Sequence, residues 1–334
     1  MPKFRTLVLM IAVLALALGG AQAQKVLKYT HFQPGSEDQP KHAAALAFKE
    51  YVEANTGGSI RVELYPASQL GDADTVLQGL QLGTIELGVV HDGPIAEFFT
   101  PIELISAPYL FETNEIAYRV FDGEFGAYFG EQMLREAGIR MMAFADNGIR
   151  HFTNNARPIR TPADMQGMTI RIQPSPVYQR LVESLGASAI VVPWTELPTA
   201  LAQGVVDGQE NGVTNILAAS LYQYQRYVSL DAHVYSVHLY LMNPDFYNSL
   251  SAAEQRVVDE AIIIARDIHR EMTAAQDLNA EAILSGVGME VAVLTSEEIA
   301  QFRELAQPAV LSYFSTRVSQ DWIDRILSAV ANAQ

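Results

Sequence analysis

The chain opens on a strand–helix–strand–helix–strand alternation between Val26 and Val90, and no other feature limits its fold as much. Val26 to His31 and Ser59 to Tyr65 are rich in β-branched and aromatic residues and read as strands. Between them, Gln39 to Asn55 sets Ala44, Ala47, Phe48, Tyr51 and Val52 at helical spacing and stops at Gly57-Gly58. A second helix, Asp72 to Leu82, ends at Gly83 and leads to a third strand, Ile85 to Val90. Strands joined through helices lie parallel with their crossovers packed on the faces, so the pattern predicts an α/β fold with a largely parallel sheet. It resumes after Gly138, with strands at Ile139 to Phe144, Thr169 to Ile172 and Ala189 to Val192. Val177 to Leu185 and Glu196 to Ala202 read as the intervening helices.

Two longer segments bear on domain number. Val234 to Met242 alternates as a long strand and ends at Asn243-Pro244. Ser251-Ala252-Ala253-Glu254 is a capping box that opens a helical pattern running to about Ser285. Its apolar stripe is Val257, Val258, Ala261, Ile264, Ala265, Ile268 and Met272. About 35 residues at about 1.5 Å each give a helix of about 50 Å, longer than one domain of this size is wide. The heptad fades after Met272, which argues against a coiled coil. The expectation is a spine lying across two domains, and 334 residues suit two cores better than one. Thr295-Ser296-Glu297-Glu298 opens a C-terminal helix in the same way.

The first segment reads as a leader rather than as part of the fold. Lys3 and Arg5 precede an apolar run, Leu7 to Leu18, and Ala21-Gln22-Ala23 is an A-x-A cleavage site. Residues 1–23 are expected to be removed, leaving an exported mature chain that is not inserted in a membrane. The full chain carries a formal charge of −16. That balance argues against nucleic acid and against docking on anionic lipid. The absence of cysteine excludes a thiol nucleophile, a cysteine-held metal cluster, disulfides and a lipobox anchor.

No catalytic motif is present: GxSxG, HExxH, the P-loop and GxGxxG are all missing. Gly123, Gly126 and Gly130 have the wrong spacing for a nucleotide loop and read as turn and packing glycines. His233 and His238 lie five apart in a strand, on opposite faces, which disfavours a shared metal. Acidic pairs such as Asp72 with Asp74, or Glu297 with Glu298, sit at helix starts, where the helix dipole favours them. The expectation is a protein that is not an enzyme and holds no metal or cofactor. What stands out is polar. Asn147-Gly148-Ile149-Arg150 follows a strand, Arg171 lies within Ile170-Arg171-Ile172, and Asp207-Gly208-Gln209-Glu210-Asn211 reads as a polar loop. Ligands of α/β sheets bind beyond the carboxyl ends of the strands, where a guanidinium fork grips a carboxylate through two hydrogen bonds. For Arg171 alone a structural ion pair is an equally good reading.

At these residues a family resemblance emerges. Ser68 to Asp72 (SQLGD), Pro108 to Phe111 (PYLF), Asn147 to Asn154 (NGIRHFTN), Thr161 to Arg171 (TPADMQGMTIR) and Val206 to Asn211 (VDGQEN) stand in the order found in one family. From about Val26 to Trp322 the chain resembles the extracytoplasmic solute-binding proteins of TRAP transporters, DctP type. The resemblance implies a two-domain periplasmic-binding-protein fold with a ligand cleft between the domains and a long helix spanning both. It implies domain I at 24–147 and 235–270, domain II at 148–234 and 271–334, and the helix of about 251–285 crossing both. It also implies a periplasmic monomer that captures a small organic carboxylate by cleft closure and passes it to membrane permease subunits driven by an ion gradient.

Carried over residue by residue, the resemblance makes Arg171 the main carboxylate anchor, Arg150 a second cationic contact and Asn211 an amide on the same carboxylate. Trp194 becomes an aromatic wall, and Gln33, His91 and Asp92 line the opposite side near the ligand's distal end. Glu210 receives no contact. Two departures bear on specificity. Gly212 stands where the family often has proline, and Asp92 places a carboxylate in a pocket suited to anions. An ionised Asp92 facing the ligand would favour hydroxyls or an ammonium over a second carboxylate, and a solvated Asp92 at a domain rim is the competing reading. The implied ligands are a C4-dicarboxylate, a hydroxy acid or a sugar acid. The alternatives are a small zwitterion or amine in the same role, or the binding protein of an ABC importer.

Overall fold

The computed structural model describes residues 24–334, so the expected leader lies outside the described residues. In chain order the elements are β1 (Lys25–Thr30), α1 (Pro40–Asn55), β2 (Ile60–Tyr65), α2 (Ala73–Leu82), β3 (Leu87–His91) and a single turn, α3 (Asp92–Ile95). A helical pair, α4 (Asn114–Phe121) and α5 (Glu124–Ala137), leads to β4 (Arg140–Asn154), β5 (Thr169–Ile172), α6 (Pro176–Ser184) and β6 (Ser188–Val191). Then come α7 (Leu197–Ala202), β7 (Gly208–Gly212), α8 (Val213–Ala218), β8 (Tyr227–Met242) and α9 (Pro244–Ser249). The chain finishes with α10 (Ala252–Leu278), α11 (Ala280–Gly286), β9 (Glu290–Val293), α12 (Ser296–Phe314) and α13 (Gln320–Ala333).

The strands form one sheet in the order β2-β1-β3-β8-β4-β7-β5-β6, with β9 paired to β8. Its two ends are parallel, as the alternation predicts: β1 with β2 and β3, and β5 with β6 and β7. The middle is not. There β4 and β8, of 15 and 16 residues, pair antiparallel with each other, and each pairs antiparallel with one parallel end. The expected strands Ile139 to Phe144 and Val234 to Met242 are thus portions of two strands that run from one end of the sheet to the other. Register shifts at Met141/Ala143, Asp146/Gly148 and Arg150/Phe152 bend the pair. Such bulges twist a strand and re-aim its side chains. Gly148 takes φ 103, a conformation few other residues tolerate.

Three apolar cores pack against this sheet. One joins Leu27, Tyr29, Phe48 and Val52 to Val258, Ala261, Ile262 and Ala265 of α10. A second gathers Leu197, Val213, Ile216, Val228 and Leu284 beneath β7. The largest runs from Val76 and Leu80 through Phe121, Phe129 and Phe144 to Leu181, Phe302 and Trp322. The spine helix is shorter than expected. Its capping box is made by Ser251 and Glu254, but the helix stops at Leu278, giving about 40 Å, and resumes at Ala280. Asn279, with φ −104, interrupts the ladder and donates its side-chain amide to Ala275 O at 2.8 Å. Gly126 is a packing glycine, because a Cβ there would sit 1.8 Å from Phe121 O. Among the described residues no helix is long and apolar enough to cross a membrane.

Candidate functional site

The carboxyl ends of β1, β3, β5 and β7 converge where β4 and β8 bend, and they leave a narrow, tightly lined cavity. Gln33 reaches it from the turn after β1, and His91 is the last residue of β3. Arg171 comes from within β5, Trp194 from just beyond β6, and Arg150 from β4. Asn211 lies in β7, which is a strand rather than the loop expected from its polar sequence. Six of the seven expected residues therefore meet around one cavity. Phe32, Asn147, Gln173, Asn215 and His238 complete the lining and were not among them. Asn147 stands in the same short phrase as Arg150, and Gln173 follows Arg171 by two. Nothing local in the sequence marks Phe32, Asn215 or His238.

The two arginines differ in what they touch. Arg150 is buried against Glu210, its Nε donating to Oε2 at 2.5 Å and its Nη2 to Oε1 at 2.8 Å and to the Glu210 carbonyl at 2.8 Å. Burial works against its charge, yet Glu210 overrides this and lifts its pKa above the ordinary arginine value. The guanidinium also stands 5.1 Å from the Tyr178 ring centroid. Glu210, given no role from sequence, thus balances one of the two cavity arginines, and Arg150 and His233 hold its carboxyl below the usual range despite burial. His233 lies between Asp231 at 2.9 Å and Glu210 at 3.4 Å. Burial opposes its charge, but the two carboxylates raise its pKa to about 9.

Arg171 has no such partner. It is 1% exposed, its Nε donates to Val192 O at 2.8 Å, and no carboxylate among the described residues lies within ion-pair distance. Burial lowers its pKa to about 9, with Glu210 opposing and Arg150 adding to the shift, so it stays cationic at neutral pH. An unpaired buried cation is costly to the fold. An anion entering the cavity would remove that cost.

The rest of the lining is neutral. Gln33 Nε2 donates to Asn215 Oδ1 at 2.6 Å, and Asn215 Nδ2 donates to Asn147 Oδ1 at 2.8 Å and Asn211 Oδ1 at 2.9 Å. Lys41 approaches Asn215 Oδ1 from behind at 3.3 Å, and burial lowers its pKa to about 7 against the pull of Asp277 and Asp146. Burial, with Arg171 and Arg150 nearby, lowers His91 to about 3, and burial with Lys41 nearby holds His238 well below its ordinary value. Both imidazoles are therefore neutral at pH 7, each with one donor and one acceptor. Phe32 and Trp194 supply aromatic walls. One uncompensated guanidinium among neutral amides and imidazoles can hold a small anion that also carries hydroxyl or carbonyl groups.

Asp92 departs from both readings made of it. It is neither at a solvated rim nor in the cavity lining, but 1% exposed and behind the wall. Its Oδ1 accepts from Gln173 Nε2 at 2.9 Å and Ser236 Oγ at 3.1 Å, and its Oδ2 from Ser106 Oγ at 2.7 Å and Tyr178 OH at 3.1 Å.

Residues 31–317 match the family model described as bacterial extracellular solute-binding protein, family 7 (DctP). The chain is 30% identical to the C4-dicarboxylate-binding periplasmic protein DctP of Rhodobacter capsulatus, over 95% of each chain. Its fold is similar to the sugar acid binding protein DctPAm of Advenella mimigardefordensis, solved in complex with galactonate, with a TM-score of 0.88, 26% identity and coverage of 93% of this chain and 99% of that one. It is also similar to a TRAP periplasmic solute-binding protein from a Polaromonas species bound to D-erythronate, with a TM-score of 0.85, 28% identity and coverage of 92% and 99%. The α/β sheet with two parallel ends is the two-domain architecture of these proteins. The chain therefore belongs to the family 7 (DctP) extracellular solute-binding proteins of TRAP transporters, which are ligand-binding transport components of the periplasm rather than enzymes.

Proposed function

We propose that this chain captures a small organic acid bearing one carboxylate and several hydroxyl or carbonyl groups, closes around it, and delivers it to the membrane subunits of a TRAP transporter. The observation that carries the reading is Arg171, a buried guanidinium in the cavity with no carboxylate partner among the described residues. In this reading the ligand carboxylate takes the two free Nη groups of Arg171, with Asn211 and the remaining Nη1 of Arg150 alongside. Trp194 covers the carbon skeleton, and Gln33 and His91 meet the distal hydroxyls. A second carboxylate would meet neutral groups there, so a hydroxy acid or sugar acid suits the lining better than a C4-dicarboxylate. The galactonate and erythronate held by the two similar structures have this chemistry. The amine alternative loses its basis, because Asp92 does not reach the ligand space.

Closure would move the unit of 24–147 and 235–270 against that of 148–234 and 271–334. The proposed boundary at Asn147/Gly148 coincides with a register shift of β4, where a bend is least costly. The mature chain, cut after Ala23, acts in this account as a periplasmic monomer. A thermal-shift screen of the mature protein against hydroxy acids, sugar acids, dicarboxylates and small amines tests the reading. Stabilisation follows RT ln(1 + [L]/Kd), about 2.7 kcal/mol at a hundredfold excess over Kd. Hydroxy or sugar acids should give the largest shifts. Shifts from amines alone would refute it.

A further inference from the structure

Asp92 sits in the turn after β3, yet two of its four donors, Gln173 and Tyr178, come from beyond β5 on the other side of the cavity. The other two, Ser106 and Ser236, lie on its own side and on the crossing strand β8. The backbone beside it is equally close across the gap. A Cβ on Gly93 would stand 2.8 Å from Pro174 O and 2.9 Å from the Gln173 side chain. Only a residue without a side chain permits this approach.

We infer that Asp92 and Gly93 form a clasp that draws the site shut without touching the ligand, the carboxylate gathering donors from both sides and the glycine letting the two backbones meet. The inference rests on the proposed cleft closure. When the cleft opens, Asp92 loses Gln173 and Tyr178 and keeps Ser106 and Ser236, so its charge favours the closed arrangement. The bond from Asp92 also orients Gln173 against the cavity, and Tyr178 stands over the Arg150 guanidinium at 5.1 Å. Asp92 is therefore a positioning residue rather than a ligand contact. A group that acts only on the closing equilibrium scales the affinity of every ligand by one factor, the fraction of molecules competent to hold it. A group that touches the ligand scales each ligand differently.

The chain has no cysteine, so Glu37→Cys with Gln179→Cys places a unique label pair on exposed positions of the two sides. Distances between the labels are measured in otherwise unchanged protein, in Asp92→Asn and in Gly93→Ala, without ligand and during titration with sodium D-galactonate and with sodium succinate. Asp92→Asn keeps the shape but removes the charge, and its Nδ2, placed at the Oδ2 position, obliges the Ser106 and Tyr178 hydroxyls to accept instead of donate. Both variants should show a smaller closed fraction than the parent under every condition. The midpoint of closure should rise about 10- to 100-fold, the loss expected for bonds to a charged acceptor, and by the same factor for both acids. Melting curves of the ligand-free variants confirm that they are folded. Distance distributions equal to the parent's, with and without the acids, would overturn the clasp. So would a rise that differs severalfold between the acids, which would make Asp92 a ligand contact. If neither acid closes the parent, the proposed ligand class fails, and the ligand-free distributions still decide the clasp.

Discussion

Replacing Arg171 with alanine distinguishes a ligand anchor from a structural arginine, and the two roles predict opposite results. As the cavity stands in this structure, the side chain makes one hydrogen bond, to Val192 O, and no ion pair among the described residues. Burial leads the shift that lowers its pKa to about 9. A basic group whose folded pKa lies below its unfolded value destabilises the fold wherever the group is protonated in both states, which here means below about pH 9. Arg171→Ala should therefore leave the ligand-free melting temperature unchanged or raise it. Binding should respond quite differently. A carboxylate on the guanidinium fork makes two charge-assisted hydrogen bonds, each contributing about 1.5–3 kcal/mol. Removing one partner of a buried charged pair costs about 2–5 kcal/mol. At about 1.4 kcal/mol per tenfold, Kd should rise about 30-fold to several thousandfold. Arg171→Lys keeps the charge, loses the fork and should fall between. Calorimetric titration with the strongest acid from the screen, beside an unfolding curve, reads both quantities. A lowered melting temperature with affinity intact would refute the reasoning and make the Arg171–Val192 bond its main role.

Other perturbations test other parts of the structure. Glu210→Gln leaves Arg150 buried without its carboxylate and should cost about 3–5 kcal/mol in a denaturant titration, since half of a buried pair remains uncompensated. His233 has a folded pKa raised to about 9, first against burial and then through Asp231. Its stabilisation is full below its unfolded pKa of about 6.5 and lost as pH rises through about 9. The stability difference between the parent and His233→Gln should accordingly shrink between those values in unfolding curves taken across pH. Ser251→Ala removes the cap that accepts from Glu254 N and should cost about 1 kcal/mol in the same assay. N-terminal sequencing of exported protein should begin at or near Gln24, and recovery of Met1 in a membrane fraction would contradict the leader reading.

The parallel ends of the fold were legible because each strand and helix there carries its own periodicity and stop signal: Gly83 ends α2, and the Ser251 and Thr295 boxes open α10 and α12. The central strands were not. The second half of β4, Asn147 to Asn154, sets only Ile149 and Phe152 among Asn, Gly, Arg, His, Thr and Asn, too few apolar residues to read as a strand, and it pairs because β8 and β7 flank it on both sides. For the same reason Gly208 to Gly212 read as a polar loop. Cavity-lining residues in strand ends or family phrases, such as Arg171 and Asn211, could be named from sequence as candidates. The pairing of Arg150 with Glu210 could not, since it depends on the register that sets Arg150 opposite Gly212. The orientation of Asp92 was hidden as well, because its donors come from four separate segments.

If Arg171 is a carboxylate anchor, the charge of the ligand, and not its skeleton, decides binding. The most direct measurement is a pair of calorimetric titrations of the mature protein, one with the best-binding hydroxy or sugar acid and one with its primary amide, which has the same skeleton and no charge. The acid should bind, and the amide should be weaker by at least about a hundredfold, the loss expected when a buried charged partner is removed. Equal affinity for the acid and its amide would contradict the anchor role.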